Sequence, residues 1–211
     1  MKRKQIKYII AVVVVLFLAY HSVFIKKLDE VRAAQQSGFD AAGFAAAFWQ
    51  KELVPSLKNA VPLNQLIQEL NNEPEKAFNT YGKTLGIGYV RYFMVQGEGI
   101  VHKINEDDIE LQLANSQPAN KVSLETEYVY GNAVRDASGL IQITDFDNTM
   151  DLNNVSEQIN HKIKTEVVKP FLAHVRVNEK VKFIGALELN SKHPQTKKIE
   201  LIPVQLELVK N

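Results

Sequence analysis

The stretch VYGNAVRDASGLIQITDFDNTMDLNN, residues 129–154, decides how this chain is read, because it joins a strand-like run to a helix-like run. Before it, Val122, Leu124, Thr126 and Tyr128 alternate with Ser123, Glu125 and Glu127, the period-two pattern of a half-buried strand. After it, Val155, Ile159, Ile163 and Val167 recur at spacings of four, which predicts a helix over residues 155–169 that Pro170 kinks or ends. Asn154 can cap that helix while Glu157 reaches back to complete a capping box.

Working outward, two more strands precede the stretch. Val90, Tyr92 and Met94 share one face, Gly97 and Gly99 allow a bend, and Ile100 and Ile104 carry the run to a turn at Asn105 to Asp108. Ile109, Leu111 and Leu113 then alternate with Glu110 and Gln112, and a turn through Ser116 to Asn120 follows. Two strands come after the helix, VKFIGALEL from Val181 and IELIPVQLELV from Ile199, joined by the loop 190–198. Pro203 has no amide to give to a ladder, so it belongs at an edge or a bulge. Three strands, a helix and two strands predict an OB-like five-stranded antiparallel barrel with a helix between strands 3 and 4. The alternative is an open antiparallel sheet backed by helices.

A small helical layer is expected before the strands, which makes the class α+β. Asp40 is a candidate N-cap; Phe44, Ala47 and Phe48 share a face, and Trp49, Leu53 and Leu57 continue beside it. Pro55 interrupts this helix and Pro62 ends it; Leu63, Leu66, Ile67 and Leu70 stripe a second, and a third runs from Pro74 to Gly82. The stripes read as a core face.

The N-terminus reads as an address. MKRKQIK precedes YIIAVVVVLFLAYHSVFI, residues 8–25, which contain no Asp, Glu, Lys or Arg. Basic residues ahead of an apolar run keep the N-terminus in the cytoplasm and send the body across. Neither Ala19-Tyr20-His21 nor Tyr20-His21-Ser22 offers the small residues a signal peptidase needs, so an uncleaved membrane helix is expected, with a cleaved signal as the alternative. The expected organisation is therefore a membrane anchor or signal segment at 1–25, a linker at 26–39 and one extracytoplasmic domain at 40–211. That domain divides into a helical part, 40–87, and a β-rich part, 88–211. The expected location is the cytoplasmic membrane, spanned once, with the body on the periplasmic side.

The charge balance excludes one large class of partner. The net charge of +1 hides an asymmetry: residues 1–25 hold Lys2, Arg3, Lys4 and Lys7 and no acidic residue, so the remainder is net acidic. An acidic body does not suit nucleic acid. The sequence contains no cysteine, which removes disulfides, thiol catalysis and acylation of a cysteine from consideration for these residues.

FWQKELVPSL, AVPLNQLI, EPEKAFNTYG, VQGEGIVHKI, GNAVRDASGLIQITDF, NNVSEQINHKI, KVKFIGALEL and IELIPVQLEL, in that order, resemble a family of bacterial proteins named for a domain of unknown function, DUF2291. The resemblance covers nearly all of the chain after residue 40. It implies a periplasmic lipoprotein, often encoded beside ABC-type sugar uptake transporters, and no established activity. The absence of the acylated cysteine departs from that pattern and leaves anchoring to the apolar run 8–25.

Within residues 129–154, Arg135 and Asp136 are adjacent and follow Gly131, Asn132 and Ala133. On an extended segment they would face opposite ways and need separate partners. The functional reading gives Arg135 to a carboxylate or phosphate, with Asn132, Asp136 and Asn148 on the hydroxyls of a sugar-like ligand. The structural reading ties Arg135 into a buried network and uses Asp136 and Asp145 in turns. No catalytic residue, metal site or cofactor is expected: the five histidines show no ligand spacing, and Ser138 does not complete a nucleophile elbow. The expected function is that of a non-enzymatic, membrane-anchored accessory or binding protein of sugar uptake, whose partners are transporter components or a small sugar-like solute. An extracytoplasmic carbohydrate-acting enzyme is the alternative.

Overall fold

Asp40 opens the body of the chain by accepting a hydrogen bond from the amide of Gly43 at 2.8 Å, which caps helix α1 (Ala41–Phe48). The computed structural model describes residues 38–113, 121–196 and 198–209, together with Gln5, Val12, Val14, Val15, Phe17 and Leu18. The chain divides into two units, Met1–Phe39 and Asp40–Asn211. No helix among the described residues is long and apolar enough to cross a membrane. The expected span at 8–25 lies for most of its length outside those residues, as do the expected linker and the turn at 116–120.

Two prolines leave the same mark on their helices. After α1 the chain widens into a π-helical turn, Trp49–Leu53, in which the amide of Val54 reaches the carbonyl of Trp49, five residues back. The second π-helical turn, Ile163–Val168, puts the amide of Lys169 on the carbonyl of Lys164. Each turn ends two residues before a proline, Pro55 or Pro170. A proline lacks the amide that would bond the carbonyl four residues back and crowds that carbonyl, and a wider turn relieves both problems. Pro170 therefore neither ends nor breaks its helix, which continues as α6 (Lys169–Leu172).

The helix predicted over 155–169 is longer at both ends. It begins as α5 (Thr149–Lys162), capped by Asn148, whose side-chain oxygen accepts from the amide of Asp151 at 3.0 Å; Asn154 lies inside it. The second and third helices, α2 (Leu63–Asn72) and α3 (Pro74–Tyr81), lie where the stripes placed them, with Leu63, Leu66, Ile67 and Leu70 buried. Helix α4 (Ala133–Ser138) occupies a segment expected to be extended.

Among the described residues the sheet has six strands: β1 (Val61–Pro62), β2 (Val90–Ile104), β3 (Asp108–Leu113), β4 (Lys121–Glu125), β5 (Lys180–Asn190) and β6 (Lys198–Leu208). Their order is β1-β2-β3-β4-β6-β5, and β5 also pairs with β2. The expectation of five antiparallel strands is corrected on two counts. A short first strand, where Pro62 was expected only to end a helix, pairs with Val95 and Gln96 of β2, and both the β1–β2 and β4–β6 pairings are parallel. The connection from β4 to its parallel neighbour β6 runs through helices α4 to α6 and then β5, the long crossover that a parallel pair requires. The fourth strand also stops at Glu125, so Tyr128, expected on its inner face, is exposed instead.

The inner face of the curved sheet is the core. Phe93 and Val95 from β2, Ile109 and Leu111 from β3, Val122 and Leu124 from β4, Phe183 and Leu187 from β5 and Ile199 and Leu201 from β6 are buried together, and α2, α3 and Phe171 contribute to the same cluster. Gly97 is required by this packing: a Cβ there would lie 2.6 Å from the Phe183 ring. Pro203 sits at a register shift opposite Gly185, the bulge allowed by its missing amide. A second layer of helices lies outside the sheet, with α1 against α5 and α4 against β2 and β5.

Candidate functional site

Helix α4 brings together three of the four predicted site residues. Because the segment is helical and not extended, Arg135 and Asp136 do pair: Arg135 Nε donates to Asp136 Oδ1 at 2.7 Å, and both residues are buried, at 6% and 4% exposure. A helical turn places successive side chains about 100° apart, close enough for a long arginine to fold back on its neighbour. Arg135 Nη1 also donates to Ser156 Oγ at 2.9 Å and to the Leu152 carbonyl at 3.3 Å, both on α5. The other oxygen of Asp136 accepts a short hydrogen bond from Asn132 Nδ2, which also donates to the Tyr92 hydroxyl at 3.2 Å. Burial pushes the Tyr92 phenol up. Asn148 stands apart as the cap of α5, its amide nitrogen on Asp151 Oδ2 at 2.8 Å.

This network backs a wide cleft on the outer face of the sheet. The cleft encloses about 680 Å³ between the segment from Tyr128 to Ala133 and strands β4, β5 and β6. Asn132 belongs to both, bonded inward to Asp136 and lining the cleft. The segment is fixed from behind, since Asn160 of α5 donates to the Gly131 carbonyl at 2.8 Å. Tyr128 and Tyr130 flank buried Val129, so alternation sends both outward; they are 55% and 69% exposed and meet edge to face with centroids 6.4 Å apart.

Carboxylates line the opposite wall. Asp108 lies directly across from Glu125 in the β3–β4 ladder, and Glu200 faces Ser123 across the β4–β6 ladder. Asp107 and Glu188 complete the acidic lining, in which Lys198 is the one basic side chain among the described residues, hydrogen-bonded to Glu200. Glu125 carries the consequence: burial, and then the like charges of Glu200, Asp108 and Asp107, push its carboxyl up to about 7, against the pull of Lys198. No group of His, Cys, Asp and Glu among the described residues could hold a metal ion.

Of these cleft residues the sequence reading named only Asn132 as a site residue. The signals for the others were present but scattered: two tyrosines around one valine, and single acidic residues, Asp108, Glu125, Glu188 and Glu200, on four different strands. Only the strand order β3-β4-β6-β5 puts those positions on one wall.

The fold and this cleft define the chain as an α+β protein of the OB class. A crystal structure described as an OB-fold protein from Thermotoga maritima is similar to it, with a TM-score of 0.73 and 27% identity over 82% of this chain and all of the other. A comparison with curated proteins finds no match. The chain belongs to the family described as "Predicted periplasmic lipoprotein (DUF2291)", which it matches over residues 13–207.

Proposed function

We propose that this protein is a non-enzymatic envelope protein that binds a neutral, polyhydroxylated, sugar-like solute in the cleft beneath Tyr128 and Tyr130. The observation that carries this reading is the pairing of two exposed, edge-to-face tyrosines with a wall of carboxylates in a cleft of ligand size. Aromatic rings offer apolar surface to the C–H face of a sugar, and carboxylates accept from its hydroxyls. OB-type sheets bind oligosaccharides and oligonucleotides on an outer strand face. Here the acidic wall repels phosphates and favours the saccharide. Asn132 reaches the ligand, Arg135 and Asp136 hold Asn132 in place, and Asn148 holds α5.

The apolar run 8–25 behind Lys2, Arg3, Lys4 and Lys7 supports a single membrane span with the body outside the cytoplasm, and the family's description supports the periplasm. In that place the protein serves as an accessory component of ABC-type sugar uptake. The test is titration calorimetry of the full chain in detergent with a panel of mono- and disaccharides and a single-stranded oligonucleotide. A saccharide binds, and Tyr130→Ala weakens it at least about tenfold, the loss of one well-placed aromatic contact. Heat from the oligonucleotide alone, or saccharide binding indifferent to Tyr130, overturns the reading. Protease digestion of the body in spheroplasts tests the topology, and its survival there refutes export.

One observation favours an enzyme as the second reading. Glu125, its carboxyl pushed up to about 7, lies opposite Asp108, and glycosidases use a pair of carboxyl groups as acid and base. Release of reducing sugar by the purified protein, abolished in Glu125→Gln, would support it, and no release from any oligosaccharide tested rules it out.

A further inference from the structure

The loop between α3 and β2, Lys83 to Tyr89, holds an apolar side chain away from the protein. Ile87, between Gly86 and Gly88, is fully exposed, and Tyr89 is more than half exposed. Gly88 has φ +149°, a conformation that side-chain-bearing residues rarely adopt, so the protrusion is written into the backbone.

The stalk beneath it is well bonded. Lys83 and Tyr92 exchange backbone hydrogen bonds at 2.8 and 2.9 Å, and Thr84 Oγ1 bonds both backbone groups of Gly86 at 3.2 Å. Arg91 Nη1 donates to the carbonyls of Gly88 and Val90, each at 2.8 Å, and the amide of Ser191 donates to the Tyr89 carbonyl at 2.7 Å. Polar bonds thus hold the loop in shape while its apolar tip packs on nothing.

The two turns themselves carry charge of one sign. The turn 190–196 lies beside the loop, and Lys192 Nζ sits 3.8 Å from the centre of the Tyr89 ring. Neither 83–89 nor 190–196 contains an acidic residue; between them they supply Lys83 and Lys192, in a domain that is acidic overall. An apolar tip, a tyrosine at its base and a lysine over its ring are the three features that suit the boundary of an anionic bilayer, where the apolar group enters the acyl region, the ring lies among headgroups and the ammonium group meets phosphates.

We infer that the paired turns 83–89 and 190–196 dock onto an anionic lipid surface, with Ile87 inserted. A single apolar side chain and two lysines make a weak contact, so this device orients a body already kept near the bilayer. The inference stands apart from the sugar-binding reading, since Tyr128 and Tyr130 take no part in it.

The absence of cysteine from the sequence allows a direct test. Ile87→Cys and, as a control on the exposed turn between β2 and β3, Glu106→Cys are labelled with a polarity-sensitive fluorophore. The full chain is then reconstituted into phosphatidylcholine vesicles with or without phosphatidylglycerol. With phosphatidylglycerol present, the label at 87 shifts to the blue, is quenched several-fold more by lipid-borne nitroxides than the label at 106, and loses its access to aqueous iodide. Adding Lys83→Glu and Lys192→Glu reverses these changes, with an unchanged circular dichroism spectrum showing the fold intact. Equal iodide quenching at 87 and 106 in both vesicle types overturns the inference. Protection of position 87 in native membranes but not in protein-free vesicles also overturns it and assigns the tip to a protein.

Discussion

The buried pair Arg135–Asp136 and the open acidic wall at Glu125 lie on either side of Asn132, and they handle charge in opposite ways. Behind Asn132, the arginine fork donates to Asp136, Leu152 and Ser156, and each Asp136 oxygen has a protein donor. In front of it, five carboxylates share the wall with one lysine among the described residues, and burial together with this crowding displaces Glu125 to about 7. Charge that is matched within the protein has been used to build the fold. Like charge left crowded at a cleft works against folding, and that is a reason to seek its use in binding.

Removing the matched charge has the largest expected effect. Arg135→Ala leaves Asp136 buried without its cation and is expected to cost about 3–5 kcal/mol, read as a lower midpoint in urea. If it costs no more than a surface substitution, the network is not structural and the contrast fails. Asn148→Ala removes the cap of α5, on which Ser156 and Asn160 ride, at a cost of about 1 kcal/mol by the same measurement.

Glu125→Gln carries the opposite sign. Its acid binds a proton more tightly folded than unfolded, so between about 4.5 and about 7 the folded state holds more protons and stability falls as pH rises. The penalty is absent below that window and complete above it. Because the group is only partly buried, the penalty is discounted to roughly 1 kcal/mol. Urea melts at low and high pH check this: the variant is more stable than the parent above pH 7 and equal to it near pH 4. Tyr130→Ala is the smallest in stability, within about 0.5 kcal/mol, although it weakens the proposed saccharide binding at least about tenfold.

Much of the fold was legible from residue order. Leu63, Leu66, Ile67 and Leu70 marked their helix, and alternation in 109–113 and 181–189 marked strands, because burial on one face imposes a period on the sequence. The short β1 was not legible, since two residues ending in Pro62 carry no period. The helix α4 was missed because AVRDAS is too short to show one, and that error separated Arg135 from Asp136. Asn154 looked like a cap because it precedes the apolar period, whereas the cap is Asn148, whose side-chain oxygen accepts from the amide of Asp151 before that period begins.

By itself the sequence determined the class of fold, the order of its main elements and the importance of residues 129–154, because hydrophobic period and turn chemistry are local. Which charges are matched and which are left facing a cleft was decided only by the tertiary structure. Pairing is a matter of distances between residues far apart in the chain: Arg135 meets Ser156, and Asp108, Glu125 and Glu200 share one wall, only once β4 lies between β3 and β6.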